Sequence, residues 1–182
     1  MVAIPTDTVY GIAADPFSPG AVTRLFAAKH RPREVQVPVL VASVDQALAL
    51  ADGASEGAMG LMERFWPGGL TIVVARRPGL EADLGEDDRT IGIRCPDHTT
   101  ARRLCAEVGP LATTSANVHG GETPPTAAEV AQLFGRDVAL VLDGGRCEGA
   151  PSTVVDCAGS QPRLLRDGLV PWAEVLAHYH RR

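Results

Sequence analysis

The chain has 182 residues, of which 45% are hydrophobic and 21% charged, and its formal net charge is −5. This length fits one domain of roughly 100 to 200 residues, and no apolar run reaches the roughly 18 residues that a membrane span needs. The acidic total argues against a protein whose whole surface follows a phosphate backbone, although it leaves room for a local arginine patch. We expect one globular domain over residues 1–182, with no membrane association, and a cytoplasmic location because the first residues resemble no export signal.

Strand and helix patterns alternate along the chain. The predicted strands span 2–4, 37–41, 70–75, 90–94, 111–113, 138–142 and 153–156. The predicted helices run from an N-cap at Ser18 to just before Pro32, from Ser43 onward, over 97–108, from Thr126 to Phe134, and over 171–179. Ser43 and Thr126 each begin a capping box, since Gln46 and Glu129 stand three residues later. Strands that alternate with helices predict an α/β architecture.

Lys29 is the only lysine among 17 lysine and arginine residues. Val22 and Phe26 belong to the apolar stripe of the first predicted helix, and Lys29 continues that stripe seven residues after Val22. The spacing predicts that Lys29 points inward at the C-terminal end of the helix, where the helix dipole favours a cation. A lysine ammonium is a compact point charge that suits a phosphate oxygen. Lys29 is therefore a candidate working residue, although an arginine-rich composition could also retain one lysine by chance.

The cysteines and histidines show no metal-binding pattern. Cys95, Cys105, Cys147 and Cys157 are spaced 10, 42 and 10 residues apart, without the CxxC pairs of a zinc or redox motif. We expect reduced thiols in the core and no protein metal site. The sequence also lacks the phosphate-binding loop GxxxxGK[ST], the HExxH motif and the GxSxG elbow.

Polar residues concentrate in five places at predicted strand ends or loops, namely residues 5–11, 29–33, 94, 113–117 and 152–153. Such ends converge readily on one crevice. Hydroxyl and amide groups with separated cations suit a ligand that carries both phosphates and a carboxylate, because these groups accept charge-assisted hydrogen bonds. Each segment alone is also explained by turn formation or by side chains that bond their own backbone.

Seven sequence blocks together resemble the YrdC family. In chain order they are PTDTVYG (5–11), KHRP (29–32), FWPGGLT (65–71), RCPDH (94–98), SAN (115–117), PSTVVD (151–156) and LRDG (165–168). The resemblance covers the chain from about Ile4 to Gly168. It implies a twisted mixed sheet with flanking helices around a deep cleft.

The resemblance also implies an activity. Members of the family are threonylcarbamoyl-AMP synthases, nucleotidyltransferases that form L-threonylcarbamoyladenylate from L-threonine, bicarbonate and ATP and release pyrophosphate. Other tRNA-modifying proteins then transfer the threonylcarbamoyl group to an adenosine of tRNA. Mg²⁺ accompanies the ATP, and no covalent enzyme intermediate is needed.

Site residues follow from the resemblance, position by position. The catalytic tetrad would be Lys29, Arg31, Ser115 and Asn117, which would also contact ATP together with Thr90, Thr123 and Arg166. Threonine would be held by Thr8, Arg94, Thr113 and Ser152. Arg94 has the planar fork that suits the carboxylate of the amino acid.

The chain departs from the family pattern at several positions. His30 stands where the family usually has glycine, and Val35 and Gln36 fall in a triplet that usually reads Asn-Pro-Leu. Leu40 occupies a position where many members have a histidine near threonine. Many members have about one more helix before the first strand, and some have a long C-terminal domain, so we expect the short, single-domain type with a shortened or truncated start.

Two other functions stay open at the level of sequence. One is a YrdC-type protein that handles carbamoyl-adenylate, which the changes at Leu40 and in the triplet favour. The other is an RNA-binding module of the same fold, because the cleft of the family is positively charged. Steep weakening of RNA binding with salt would identify that module, and the net charge of −5 counts against it.

Overall fold

The structure is a computed structural model that describes residues 1–118 and 121–180. Its strands are β1 (Val2–Ile4), β2 (Gly11–Ala14), β3 (Val39–Leu40), β4 (Leu70–Ala75), β5 (Thr90–Arg94), β6 (Leu111–Ser115), β7 (Leu140–Val141), β8 (Thr153–Asp156) and β9 (Arg163–Arg166). Its helices are α1 (Ala21–Ala28), α2 (Val44–Leu48), α3 (Glu56–Phe65), α4 (Thr99–Val108), α5 (Ala127–Phe134) and α6 (Trp172–Tyr179). The predicted α/β class is confirmed.

All these strands form one mixed sheet in the order β7-β1-β2-β6-β3-β5-β4-β8-β9. The β1–β7, β3–β5 and β4–β8 pairs are parallel, and the other neighbouring pairs are antiparallel. One continuous sheet thus holds strands from Val2 to Arg166. The assignment of 1–182 to one domain stays a prediction, and residues 119–120 and 181–182 of that range lie outside the described part.

The two faces of the sheet are covered unequally. Successive strand residues point to opposite faces, and Ile12, Val39 and Ile93 belong to the larger hydrophobic cluster on one face. Their neighbours Ala13 and Leu40 belong to a smaller cluster, which they form with Ala101 and Cys105 of α4 and with Ile4 and Leu111. Polar residues of the same alternation, such as Arg94 and Thr113, stand beside this smaller cluster, where the sheet face is left open.

Local sequence explains most element boundaries. The side chains of Ser43 and Thr126 accept hydrogen bonds from the backbone N–H of Gln46 and Glu129, which confirms both predicted N-caps. Helix α1 begins later than predicted: its N-cap is Gly20, with φ +72°, rather than Ser18. A left-handed φ is a conformation that glycine adopts without steric cost, so the chain turns there and the helix follows.

Three elements are not predicted from the sequence, namely β2, α3 and β9. Strand β2 reads GIAA and has no alternation of apolar and polar residues, because both of its faces are buried. Helix α3 contains Gly57, whose Cα lies so close to the Tyr179 ring that an added Cβ would stand 2.6 Å from it. Strand β9 is a largely exposed edge strand with arginine at both ends, so its pattern resembles a loop.

Candidate active site

A cleft of about 320 Å³ opens on the less covered face of the sheet. Strands β2 to β6 supply its floor through Gly11, Leu40, Thr71, Arg94 and Thr113, and the loops after β1, α1 and β6 and before β8 supply its walls. The pairing of β3 with β5 sets Leu40 beside Arg94, and that of β2 with β6 sets Ala13 beside Thr113. The sheet register therefore gathers residues that are far apart in sequence.

The Arg94 guanidinium is held at one end of the cleft by three different segments. Its Nε donates to the carbonyl of Gly68 at 2.9 Å. Its two terminal nitrogens donate to the Thr8 hydroxyl at 2.8 Å and to the Asp7 carboxylate at 2.7 Å. Arg94 is 6% exposed, so its position is fixed before any ligand binds.

Hydroxyl groups surround this arginine. Thr8, Thr113 and Ser152 all line the cleft, and the structure brings the three predicted threonine-binding hydroxyls to the same cavity as Arg94. The Ser152 hydroxyl forms a 2.8 Å hydrogen bond with that of Thr71, a buried residue that sequence reasoning did not assign to the site. Thr71 is a threonine in the otherwise apolar, largely buried strand β4, and this sequence pattern could have identified it as a site residue.

Lys29 lies beneath the other end of the cleft. As predicted, it points inward at the end of α1, where it is the C-cap residue and is 2% exposed. Its Nζ donates to the carbonyl of Ser115 and, at 3.0 Å, to Oδ1 of Asn117. The Ser115 hydroxyl donates to the same Oδ1 at 2.5 Å. Lys29 is thus covered by Ser115 and Asn117, which line the cleft while the lysine side chain does not.

Arg31, Thr123 and Arg166 also line the cleft, as predicted for contacts to a nucleotide. Arg31 donates to the carbonyls of Val35 at 2.8 Å and Gln36 at 2.9 Å, so it holds the loop that follows α1. Arg166 donates to the Ser152 carbonyl at 3.0 Å and to the Ser152 hydroxyl at 2.9 Å. It therefore lies between the hydroxyl groups around Arg94 and the Arg31 loop.

The cleft carries excess positive charge. Burial, with a smaller effect from the nearby Arg31, lowers the pKa of Lys29 to about 8. Burial is also the main cause that lowers the pKa of Arg31, and the nearby Arg166 has a smaller effect. Burial likewise lowers the pKa of Arg166, with a smaller effect from Arg94. Of these four cations, Arg94 alone forms an ion pair with a carboxylate within the described residues. Arg31 and Arg166 line the cleft and are available to an anionic ligand, while the buried Lys29 adds positive charge beneath them.

Thr90, like the side chain of Lys29, is a predicted site residue that the structure leaves outside the cleft lining. Its hydroxyl donates to Asp87 at 2.8 Å, and its carbonyl accepts from the Gln36 side chain at 2.8 Å. Gln36 also donates to the Asp87 carbonyl at 2.9 Å. Thr90 is therefore connected to the cleft through Gln36 and the Arg31 loop, rather than by direct exposure to it.

The loop of 143–149 supports the cleft from behind. The buried Tyr10 hydroxyl donates to the Gly145 carbonyl at 2.7 Å and accepts from the Gly144 N–H at 3.2 Å. The Gly149 N–H donates to the Thr8 carbonyl at 2.8 Å, and a Cβ on Gly149 would stand 2.7 Å from that oxygen. This glycine-rich segment packs tightly against the Thr6–Tyr10 turn.

Among the residues that the structure describes, the site offers no built metal centre. Over residues 1–118 and 121–180, no three His, Cys, Asp or Glu side chains come together as metal ligands. The described cleft-lining residues also include no carboxylate. A magnesium ion in this cleft would thus depend on oxygen ligands that a bound molecule brings, which is the usual manner of Mg²⁺ with nucleotide phosphates.

In the same described ranges, no helix is long and apolar enough to cross a membrane.

Comparison with known sequences gives one consistent family. The model of the Sua5/YciO/YrdC family, described as telomere recombination, matches residues 1–168. A Mycobacterium tuberculosis protein provisionally named threonylcarbamoyl-AMP synthase is 44% identical over 171 residues, which are 93% of this chain and 79% of that protein. The threonylcarbamoyl-AMP synthase of Bacillus subtilis is 40% identical over 171 residues, 92% of this chain and 49% of its own length.

Comparison with solved structures gives the same fold. The crystal structure of Pyrococcus abyssi Sua5 complexed with L-threonine matches with a TM-score of 0.87 and 37% identity, over 97% of this chain and 54% of that one. The chain thus spans about half of that protein. Escherichia coli YciO matches with a TM-score of 0.86 and 23% identity, over 96% of this chain and 85% of that one, which bears on the fold alone.

Proposed function

The chain belongs to the Sua5/YciO/YrdC family, and from this premise we propose that it is a threonylcarbamoyl-AMP synthase. It would form L-threonylcarbamoyladenylate from L-threonine, bicarbonate and ATP, with release of pyrophosphate. The observation that carries the proposal is the distribution of charge in the cleft. A fixed arginine among hydroxyls lies at one end, and three cations without carboxylate partners among the described residues lie along the rest.

The Arg94 end suits the amino acid. A guanidinium has five N–H donors, and Arg94 uses three of them within the protein. The remaining donors would bind the threonine carboxylate, while the Thr8, Thr113 and Ser152 hydroxyls, which line the same cavity, would bond its amine and hydroxyl groups. P. abyssi Sua5, which has this fold, binds L-threonine, and that supports the assignment.

The remaining cations suit the triphosphate. Arg31 and Arg166 are exposed to the cleft, and Lys29 supports Ser115 and Asn117 from below. Charge-assisted hydrogen bonds from such groups to phosphate oxygens are strong because donor and acceptor both carry charge. We also assign Thr123 to nucleotide binding, because it lines the cleft. Thr90 would contribute to nucleotide binding indirectly, through its hydrogen bond with Gln36.

The reaction has two bond-forming steps. The ammonium group of threonine first loses a proton to solvent, and the neutral amine then attacks the carbon of bicarbonate. A C–N bond forms, a C–O bond of bicarbonate breaks, and one water leaves to give the carbamate. A carbamate oxygen then attacks the α-phosphorus of ATP, and the bond from that phosphorus to the bridging oxygen breaks as pyrophosphate leaves. The protein contributes by fixing both reactants in one cleft and by placing cations where negative charge gathers on the phosphates.

Mg²⁺ would enter with the nucleotide. The described lining has no carboxylate to hold it, so the triphosphate oxygens and water would be its ligands. When bound, the ion would offset charge on the phosphates. The residues of the chain then need only hold the nucleotide that carries it, and we assign this to Arg31, Arg166, Ser115 and Asn117.

The product is an activated, water-sensitive carbamate, so a second protein should consume it. We propose that tRNA-modifying proteins accept the adenylate and that the reaction takes place in the cytoplasm. The four buried cysteines are free thiols, which is the state that a reducing compartment maintains.

The test is pyrophosphate release from ATP with threonine, bicarbonate and Mg²⁺ present. Each component is omitted in turn, and serine replaces threonine in a parallel reaction. Release that requires ATP, threonine and bicarbonate together supports the synthase. A folded chain that binds ATP but releases no pyrophosphate under these conditions contradicts it, and carbamoyl phosphate and RNA would then be the ligands to try.

A further inference from the structure

Asp7 forms a contact that the proposed chemistry does not yet use. Its carboxylate lies 2.7 Å from a terminal nitrogen of Arg94, and their side chains are 15% and 7% exposed. Thr6 and Thr8 line the cleft, whereas Asp7 between them does not. Asp7 therefore approaches Arg94 from behind the cleft wall. Its contact with the site runs through the arginine.

We propose that Asp7 is a positioning residue that fixes the Arg94 guanidinium for the substrate carboxylate and neutralises part of its charge. This inference rests on the proposed function. It adds a residue to the amino-acid end of the cleft and a reason why that end accepts a carboxylate rather than a phosphate.

The geometric part follows from the three contacts of Arg94. An arginine side chain has several rotatable bonds, and one contact alone leaves it free to turn. Gly68 holds Nε, Thr8 holds one terminal nitrogen and Asp7 holds the other, so the plane of the guanidinium is fixed by three anchors. Without Asp7 one anchor is lost, and a displacement of about 1 Å can reduce a rate by about 100-fold.

The electrostatic part follows from the comparison of the two cleft ends. Lys29, Arg31 and Arg166 have no carboxylate partner among the described residues, whereas Arg94 has Asp7. A paired arginine attracts a multiply charged phosphate less than an unpaired one does, because the nearby negative charge repels the phosphate. Asp7 thus helps to direct ATP to the other cations and leaves the Arg94 end to the amino acid.

The experiment compares Asp7→Ala and Asp7→Asn with Asp156→Asn as a matched control. Asp156 pairs with the exposed Arg163 at 2.9 Å, away from the cleft lining. The readouts are kcat and the separate KM values for threonine and ATP in pyrophosphate release. Inorganic phosphate is tested as an inhibitor against threonine, and circular dichroism confirms that each variant is folded.

Asp7→Ala should raise the KM for threonine by about 10- to 100-fold, with the KM for ATP within about twofold of that of the original chain. Asp7→Asn keeps an oxygen for Arg94 but removes the charge, so its effect on the threonine KM should be smaller. In that variant, phosphate should become a competitive inhibitor against threonine. In an Arg94→Ala background, Asp7→Ala should add no further loss, because its effect is transmitted through the arginine.

An unchanged threonine KM in folded Asp7→Ala would overturn this inference alone. Losses of Asp7→Ala and Arg94→Ala that multiply in the double variant would overturn it as well, because they would show that Asp7 acts independently of the arginine. If Asp7→Ala does not fold, Asp7→Asn decides through its threonine KM and its inhibition by phosphate. No threonine-dependent release by the original chain would overturn the proposed function, and this inference with it.

Discussion

Lys29 is the residue whose chemistry depends most on its surroundings. It is almost fully buried, yet its ammonium bonds the Ser115 carbonyl and the Asn117 side chain at the cleft wall. A buried charge stays charged only if such partners are present. Lys29 therefore both shapes the wall and adds positive charge beneath it.

Replacing Lys29 by methionine should remove that charge while keeping a side chain of similar length. The Ser115 carbonyl and Asn117 Oδ1 lose a donor, and we expect kcat for pyrophosphate release to fall about 100-fold, because a displacement of about 1 Å in the wall that binds the phosphates has a cost of that size. Arg24→Met is the matched control, since it removes an exposed cation from the same helix. Activity of Lys29→Met near that of the control would contradict the role.

The depressed pKa of Lys29 predicts a pH dependence of ATP binding. In the folded protein the pKa is about 8, below its ordinary value of 10.5, because burial disfavours the charged form. Between pH 8 and 10.5 the lysine keeps its proton in the unfolded chain and loses it in the folded protein. The free-energy cost of burying the charged lysine is therefore fully present below pH 8 and disappears as the pH rises toward 10.5. A bound triphosphate favours the charged form and should raise the pKa again.

ATP binding should consequently take up a proton above pH 8, and its affinity should fall by up to about tenfold per pH unit between about 8 and 10. Burial raises the pKa of Tyr10, so this tyrosine does not account for a change that begins near the pKa of Lys29. Calorimetry in two buffers of different ionisation enthalpy measures the proton uptake. Lys29→Met should show none, and equal uptake by both proteins would refute the assignment to Lys29.

Sequence reasoning identified residues at the cleft better than it identified their connections. The inward direction of Lys29 follows from helical periodicity, which depends on local spacing alone. The contact of Asp7 with Arg94 joins positions 87 residues apart, and the link from Thr90 to Gln36 depends on how two loops meet. Such contacts are set by sheet order, which local patterns do not encode.

At the scale of elements, the loop between α1 and β3 is held by a few polar contacts. Arg31 donates to carbonyls of the loop itself, while Gln36 donates to the carbonyls of Asp87 and Thr90 at the start of β5. Gln36 is thus one of several attachments of the loop, beside the Arg33–Asp83 ion pair and the hydrogen bond from the Thr113 N–H to the Pro38 carbonyl. Gln36 falls in the triplet that departs from the family pattern, so this attachment belongs to the present chain.

Gln36→Ala should weaken the attachment of the loop to β5 and leave two carbonyls without their donor. We expect a loss of about 1 to 2 kcal/mol in the free energy of unfolding and a several-fold higher KM for ATP, because Arg31 is placed by this loop. The KM for threonine should not change, since Arg94 is anchored elsewhere. Urea denaturation and steady-state kinetics measure both, and a change confined to the threonine KM would show that the loop does not serve the nucleotide.

Element boundaries were predictable where a signal is local and strong. Strands β4, β5 and β8 have the predicted bounds, since each is a run of mostly β-branched residues. Strand β2 and helix α3 were missed because their glycines and small residues serve close packing, as at Gly57 against the Tyr179 ring. There tertiary contact overrides the weak local propensity.

At the scale of the whole molecule, the cleft connects strands across most of the sheet. Arg94 stands on β5, Ser115 on β6 and Arg166 on β9, and β3, β4 and β8 lie between these strands in the sheet order. A ligand can contact all three residues only when the sheet that carries these strands is formed. Binding should therefore stabilise the fold as a whole rather than one loop.

This predicts that ATP and threonine each raise the melting temperature and that they do so together. A ligand at about 100 times its Kd adds about 2.7 kcal/mol, which for a chain of this size corresponds to about 5 to 11 °C. Threonine is used without bicarbonate, and an α,β-methylene ATP analogue prevents turnover. Because the two ligands take different ends of one cleft, the shift with both should equal or exceed the sum of the separate shifts.

Variants assign each shift to its end of the cleft. Lys29→Met should reduce the shift with the ATP analogue and keep that with threonine, whereas Arg94→Ala should do the reverse. A joint shift barely above the larger single one, well below the sum, would mean that the ligands compete for one set of cations. The separation of charge along the cleft, with Asp7 at the amino-acid end, would then not distinguish carboxylate from phosphate, and the division of the site proposed for this fold would be wrong.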